Sequence, residues 1–267
     1  MYMNKKKASH RLSIERKVFS AVSPLVEKMC EPPKMKSIKR ALFIQPHPDD
    51  NQIAAGGTIA WLIDQGVEVF ELTVLDDRFI DLSYAGEGLT VRQKEALAAQ
   101  KCLGMKNAGF LGFGDRTEAS AREISKAIVK VIREVKPDAV FTADPNLENE
   151  CHEDHIKVAN AVKYAVLDAT FPFCPEYIDN KPRGDVWTVD TLGFYYTDKP
   201  NTIVDITDYE QKKLESMRCH LSQPIAALEP VIILLAQQVA KDTEYKAAEV
   251  FRMISKFHIH CFNLPVG

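Results

Sequence analysis

Residues 40–51, RALFIQPHPDDN, contain the pattern that decides the fold. Ala41–Ile44 is a short and wholly apolar run, which is typical of a strand that is buried on both faces. The prolines at 46 and 48 prevent a helix from starting at once, and residues 52–65 then favour a helix that Gly66 ends. This stretch therefore predicts a strand, a polar turn and a helix, the first unit of an α/β fold.

The same alternation continues towards the C-terminus. It predicts strands at Val67–Leu75, Phe110–Leu111 and Ala139–Phe141, and helices at Leu89–Leu103, Ala119–Val135 and His155–Leu167. Later segments favour strands at Leu192–Tyr196 and Thr202–Val204, as antiparallel edges, and helices at Tyr209–His220 and Thr243–Lys256. Strands that alternate with helices indicate βαβ units, so we expect one α/β domain with a mainly parallel sheet.

Composition limits the class of protein. The 267 residues carry 34 Lys and Arg against 37 Asp and Glu, a net charge of −3, which argues against a nucleic-acid partner. No apolar run approaches the roughly 18 residues of a membrane span. The six cysteines are scattered without a C-x-x-C pair, which favours a cytoplasmic protein without a disulfide framework. Residues 1–38 are expected to form an N-terminal helical extension, and residues 39–267 the domain.

Two polar loops follow strand ends, where ligands collect in parallel sheets. The first contains His47, Asp49 and Asp50, and the second contains the run His152-Glu-Asp-His155. A catalytic zinc ion typically has three nitrogen or oxygen ligands and an open fourth position. His47, Asp50 and His155 could supply the three ligands, which leaves Asp49 to take a proton from water.

Each of these residues also has a simpler explanation when it is considered alone. Asp50 would be a helix N-cap, His47 a structural histidine in a loop, and the H-x-x-H pair a solvated helix start. Their coincidence at two strand ends of one sheet favours a metal site.

The chain contains the motifs Gln45-Pro-His-Pro-Asp-Asp-Asn51, Ala55-Gly-Gly-Thr58, Val91-Arg-Gln-Lys-Glu95, Phe110-Leu-Gly-Phe-Gly-Asp115, His152-Glu-Asp-His155 and His220-Leu-Ser-Gln223. Together they resemble the motifs of the PIG-L/LmbE family of zinc-dependent deacetylases. These matches keep the family's order from residue 40 to about residue 253, four-fifths of the chain.

The resemblance implies a Rossmann-like, three-layer α/β/α fold and hydrolysis of an N-acetyl group from a small-molecule amino sugar or its conjugate. It implies that His47, Asp50 and His155 bind Zn²⁺ and that Asp49 is the general base. It also implies that protonated His152 stabilises the tetrahedral intermediate, that Asp154 orients His152, and that Arg92 contacts the substrate. Relatives tend to form homo-oligomers, so we expect the same here.

Two departures and several alternatives remain at this point. Asn51 replaces the usual Glu, and residues 76–89 lack the usual Gly-Glu loop after the second strand. A zinc-containing sugar-binding protein with weakened catalysis, or an amidase of a non-sugar N-acyl conjugate, would share the same motifs. A dinucleotide site is disfavoured because no strand is followed by G-x-G-x-x-G. A Cys151–His152 nucleophile is disfavoured because such pairs are normally distant in sequence. His220 is a further candidate to line the pocket.

Overall fold

The strand predicted from residues 41–44 is an inner strand of the main sheet. The computed structural model describes residues 24, 31–76, 88–172, 174, 177–178, 181–182 and 185–259. Its strands are β1 Arg40–Gln45, β2 Glu68–Asp76, β3 Lys106–Gly114, β4 Ala139–Ala143, β5 Tyr177–Ile178, β6 Lys181–Pro182, β7 Thr191–Tyr195, β8 Thr202–Asp205 and β9 Ala248–Ser255. All of β1 beyond its first residue is buried, and the apolar run Ala41–Ile44 accounts for most of it, as expected of a strand with neighbours on both sides.

Seven of these strands form one mainly parallel sheet. Their order is β3-β2-β1-β4-β7-β9-β8, and β5 and β6 form a separate antiparallel pair. Strands β3, β2, β1, β4 and β7 are parallel to one another. Strand β9 is antiparallel to both β7 and β8. The carboxyl ends of β1 and β4, which are neighbours, therefore meet at one edge of the sheet.

Helices cover both faces of the sheet. They are α1 Asp50–Asp64, α2 Val91–Leu103, α3 Ala121–Val135, α4 Glu153–Asp168, α5 Glu210–Met217 and α6 Ile225–Ala240, and Met35–Ser37 forms a short 3₁₀ turn. Ala41 and Phe43 of β1 pack in the core layer that contains α1, whereas Leu42 and Ile44 pack in the layer that contains α3 and α4. The predicted Rossmann-like, three-layer α/β/α fold of one domain is confirmed.

Glu249 of the last described strand connects β9 to α1 and α5. Glu249 of β9 accepts hydrogen bonds from the backbone amides of Gly57 and Thr58 in the middle of that helix, at 3.1 and 2.7 Å. Lys213 of α5 donates to the same carboxylate at 2.6 Å, and both side chains are only 4% exposed. These hydrogen bonds and the ion pair hold α1 in place, and the first turn of α1 contains Asp50.

Two expectations about the second half of the chain are wrong, and one helix was missed. The helix expected at Thr243–Lys256 is replaced from Ala248 onward by β9, because Ala248, Phe251 and Met253 are buried against β7 and the core. The strand at Thr191–Tyr195 is an inner parallel strand rather than an antiparallel edge, since β9 adds beside it. Helix α6 was not expected, and it continues through Pro230.

Most of the expected N-terminal extension, all but residues 24 and 31–38, lies outside the described residues. Within the described residues, each helix is too short or too polar to cross a bilayer.

Candidate metal centre

The predicted ligands converge where β1 and β4 end. Asp50 is the first residue of α1, directly after the loop that leaves β1. His155 lies in the first turn of α4, which begins at Glu153 after the loop that leaves β4. Because the two strands are parallel neighbours, residues about one hundred positions apart in sequence share one site.

Asp50 lies between the two predicted histidine ligands. Its Oδ2 is 3.3 Å from Nδ1 of His47, and its Oδ1 is 3.4 Å from Nε2 of His155. Ligands held at 2.0–2.1 Å from a tetrahedral zinc ion are separated by about 3.3 Å. The backbone amide of His47 also donates to Asp50 Oδ2 at 2.8 Å, which fixes the carboxylate. Both distances are compatible with a cation held next to Asp50, but the described residues whose donor atoms all lie within 4.8 Å of one another are His47, His152 and His155, and His47, Asp115 and Asp154.

The outer nitrogens of both histidines face carboxylates. Nε2 of His47 is 3.6 Å from Asp154 Oδ2, and Nδ1 of His155 is 2.9 Å from Glu150 Oε2. Metal-binding histidines almost always place the second ring nitrogen against such a partner, which fixes the ring and its tautomer. Asp154 was expected to orient His152, but its carboxylate lies beside His47 and accepts a hydrogen bond from the Arg116 amide. Glu150 was not predicted, although it stands only two residues before His152.

The electrostatics of this cluster favour positive charge. Burial alone would lower the pKa of His47, but hydrogen bonds to Asp154 and Asp50 outweigh it and raise that pKa to about 10. Burial likewise opposes protonation of His155, but Asp50 and Glu150 raise its pKa to about 9. Burial would raise the pKa of Asp50, yet the two imidazoles hold it well below its usual range. A cation would meet the same stabilising carboxylates.

His152 lies against the two histidine ligands. Its ring centroid is 4.7 Å from that of His47 and 4.6 Å from that of His155, and donor atoms of all three histidines come within 4.8 Å of one another. Burial and the charges of the two neighbouring histidines lower the pKa of His152. The protonated state expected for His152 stays a prediction, and even a neutral imidazole carries one N–H donor.

Asp49 faces away from its own helix. It occupies the N-cap position of α1, but its side chain makes no capping hydrogen bond. Instead Oδ1 accepts from Nη2 of Arg92 at 2.9 Å. Burial and the charge of Asp50 raise the pKa of Asp49 to about 6, although Arg92 opposes the shift. A carboxylate with a pKa near the working pH is suited to general-base catalysis. Arg92, expected to contact the substrate, thus forms its hydrogen bond with the expected general base, Asp49.

Two more residues of the quoted motifs lie near the centre. Asp115, at the end of β3, has Oδ1 3.8 Å from His47 Nε2, and sequence reasoning did not assign it a role. His220 is fully buried, and neither of its ring nitrogens has a hydrogen-bond partner among the described residues. Burial and the nearby Arg92 charge lower the pKa of His220 to about 4, so it is neutral beside the site.

The unusual Asn51 belongs to a buried polar network under the metal centre. Its Nδ2 donates to Glu71 Oε2 at 3.0 Å, and the amides of Gln52 and Gln100 donate to the same carboxylate at 2.9 Å. Burial raises the pKa of Glu71. Glu71 thus supplies a carboxylate next to position 51, and the amide of Asn51 complements it.

We expect Asn51→Glu to destabilise the protein, because it places a second buried carboxylate against Glu71. At pH 8 the free energy of unfolding should fall by about 3 kcal/mol or more, the usual cost of an uncompensated buried charge. Mutual repulsion raises both folded-state pKa values, so the loss should be absent at acidic pH and grow as the pH rises. Urea unfolding at several pH values measures it. Asn51→Glu with Glu71→Gln should recover most of the loss, whereas wild-type stability of Asn51→Glu at pH 8 would contradict the prediction.

The chain is similar in sequence to known deacetylases. The family model for GlcNAc-PI de-N-acetylase, PIG-L, matches residues 42–166. Diacetylchitobiose deacetylase of Thermococcus kodakarensis is 35% identical over 252 residues, 91% of this chain and 92% of the relative. A probable N-acetyl-alpha-D-glucosaminyl L-malate deacetylase 2 of Bacillus cereus is 29% identical over 224 residues, 80% of this chain and 96% of the relative.

A solved structure is also similar. N,N'-diacetylchitobiose deacetylase from Pyrococcus horikoshii, complexed with its inhibitor MPG, has a TM-score of 0.74 and 32% identity, and the match covers 86% of this chain and 88% of that one. These relatives are deacetylases, and the resemblance inferred from the motifs is confirmed. The chain belongs to the PIG-L family.

Proposed function

We propose that the chain is a zinc-dependent hydrolase that removes an N-acetyl group from an amino sugar or its conjugate. The observation that carries the proposal is the position of Asp50 between His47 and His155, with Asp49 beside them. The relatives named diacetylchitobiose deacetylase support the amino-sugar substrate. Two nitrogen ligands and one carboxylate form a ligand set that zinc enzymes use.

The bound cation supplies Lewis-acid polarisation of the acyl carbonyl and acidification of water. The protein residues then handle the protons. Asp49 accepts the proton of the attacking water, and Arg92 holds Asp49 at 2.9 Å in the required orientation. Once protonated, Asp49 donates that proton to the leaving amine, so that one carboxyl group serves as base and then as acid.

His152 is placed to stabilise the transition state. Its ring lies against His47 and His155, so an N–H of this ring can reach a carbonyl oxygen bound at the centre. The removal of one such donor typically costs about 10²–10³ in rate. Glu150 and Asp154 hold the two ligand imidazoles and thereby orient the site.

The cellular context is part of the proposal. Cys102, Cys151, Cys174 and Cys219 are free thiols, which supports a reducing cytoplasmic environment. The homo-oligomer expected from the family stays a prediction.

Acetate release tests the function. Zinc-loaded protein should release acetate from N,N'-diacetylchitobiose or N-acetylglucosamine, should lose this activity with a chelator, and should regain it on addition of zinc. N-acetylated amino acids serve as the comparison substrates. Their faster hydrolysis would favour the non-sugar amidase, and sugar binding without acetate release would favour the binding protein.

A further inference from the structure

An apolar cavity lies beside the metal centre. It has a volume of about 630 Å³ and is bounded by α1, α6 and β9. The described part of its wall is mostly apolar, with Ile53, Ile232 and Val239 among its side chains, and it also contains Asn149, Tyr196 and Thr197. The ligand His155 and its partner Glu150 line the same cavity. A group attached to a carbonyl at the metal centre can therefore extend into this space.

The buried charges in the wall are already satisfied. Lys213 and Glu249 pair at 2.6 Å, and the Glu249 carboxylate also accepts two backbone amides of α1. Apart from a few polar groups such as Asn149, Tyr196 and Thr197, the described wall offers mainly apolar surface, so most hydroxyl groups of a sugar ring in this cavity would lack partners, and each such loss is costly. An apolar group would lose nothing here and would remove apolar wall surface from water.

The position of the base indicates which part of the substrate enters. Asp49 must reach the leaving nitrogen, and Arg92 holds Asp49, yet neither residue is among the described side chains that line the cavity. The amine side of the scissile amide thus faces Asp49, and the acyl side is left for the cavity. An acetyl methyl group is close in size to one water molecule, about 30 Å³, and would leave most of the cavity empty.

We propose that this cavity binds the acyl group of the substrate. The protein then hydrolyses amino sugars with medium-length N-acyl groups, represented by N-octanoylglucosamine. This inference rests on the proposed function. The reaction keeps its balance: water adds OH to the acyl carbon, the C–N bond breaks, and the amine takes the remaining proton. The products are octanoic acid and glucosamine.

The test compares kcat/KM of the zinc-loaded protein for N-octanoylglucosamine and N-acetylglucosamine. Each buried methylene contributes about a fourfold gain, so the octanoyl substrate should be preferred by at least about tenfold. Val239→Phe fills the cavity and should lower the octanoyl-to-acetyl ratio at least about tenfold. Leu234→Phe is the matched control, because Leu234 lies on the same helix, is 64% exposed and is not part of the described wall.

Binding gives a second readout that is independent of turnover. Calorimetry with Asp49→Asn protein should show tighter binding of N-octanoylglucosamine than of N-acetylglucosamine. Acetyl hydrolysis without octanoyl preference in rate or binding would overturn the inference and leave the proposed function intact. An octanoyl preference that Val239→Phe leaves unchanged would also overturn it. If neither substrate is hydrolysed, the proposed function fails together with the inference.

Discussion

Asp49→Asn is expected to retain zinc and to lose nearly all turnover. The amide is almost the same size and can still contact Arg92 through its oxygen, but it cannot accept a proton from water. Asp49 is not one of the three side chains that surround the proposed cation, so the metal should stay. General-base catalysis contributes about 10²–10⁴ in rate, and we expect kcat to fall about 10³-fold. Acetate release and zinc analysis of the same preparation measure both properties.

A control on the same helix separates this effect from damage to the fold. Asp64 lies at the exposed end of α1, and Asp64→Asn should leave both kcat and zinc content unchanged. Full activity of Asp49→Asn would show that the base is assigned wrongly. Loss of zinc from Asp49→Asn would show that this carboxylate is a ligand.

His155→Ala is expected to lose both zinc and activity. The substitution removes one of three predicted ligands and leaves the Asp50 and Glu150 carboxylates without their shared imidazole partner. Two protein ligands are fewer than catalytic zinc sites use, so zinc should not survive gel filtration with a weak chelator. Glu150→Gln removes only the charged partner of the ligand and should weaken zinc binding about 10–100-fold.

His258→Ala is the histidine control for this series. His258 lies just after β9, and its ring forms a hydrogen bond with the Ser255 hydroxyl group. Its replacement should therefore not remove zinc. A cooperative thermal unfolding transition shows that each variant is folded. A rise in its midpoint on addition of zinc shows binding, because a bound metal stabilises only the protein that binds it. Retention of one zinc per chain by folded His155→Ala would refute the proposed ligand set.

The first half of the fold could be predicted because its signals are local. Ala41–Ile44 is apolar throughout, and the polar turn and helix follow within a few residues, so a short stretch determines a buried strand and the loop after it. The wrong assignment of residues 248–255 has the opposite cause. That segment is a strand because it pairs with β7, about sixty residues earlier, and local propensity cannot reveal that partner.

The same contrast applies to the site. His47, Asp49 and Asp50 follow one strand end and His155 follows the neighbouring one, so parallel topology was enough to bring them together. The pairing of Asp154 with His47 depends on side-chain direction at the start of α4, which the spacing of residues does not specify. The hydrogen bond between Asn51 and Glu71 joins a helix to a strand. The sequence alone therefore shows only that Asn51 differs from the family's usual Glu.

The bridge from Glu249 to α1 has a consequence for the order of events during folding. The helix that begins at Asp50 receives its anchor from a residue about two hundred positions later, in the last described strand. A nascent polypeptide in which β9 has not yet been synthesised therefore contains the ligand side chains. It lacks the contacts from β9 that hold the helix in place. Acquisition of the cation would then mark the completion of the whole domain.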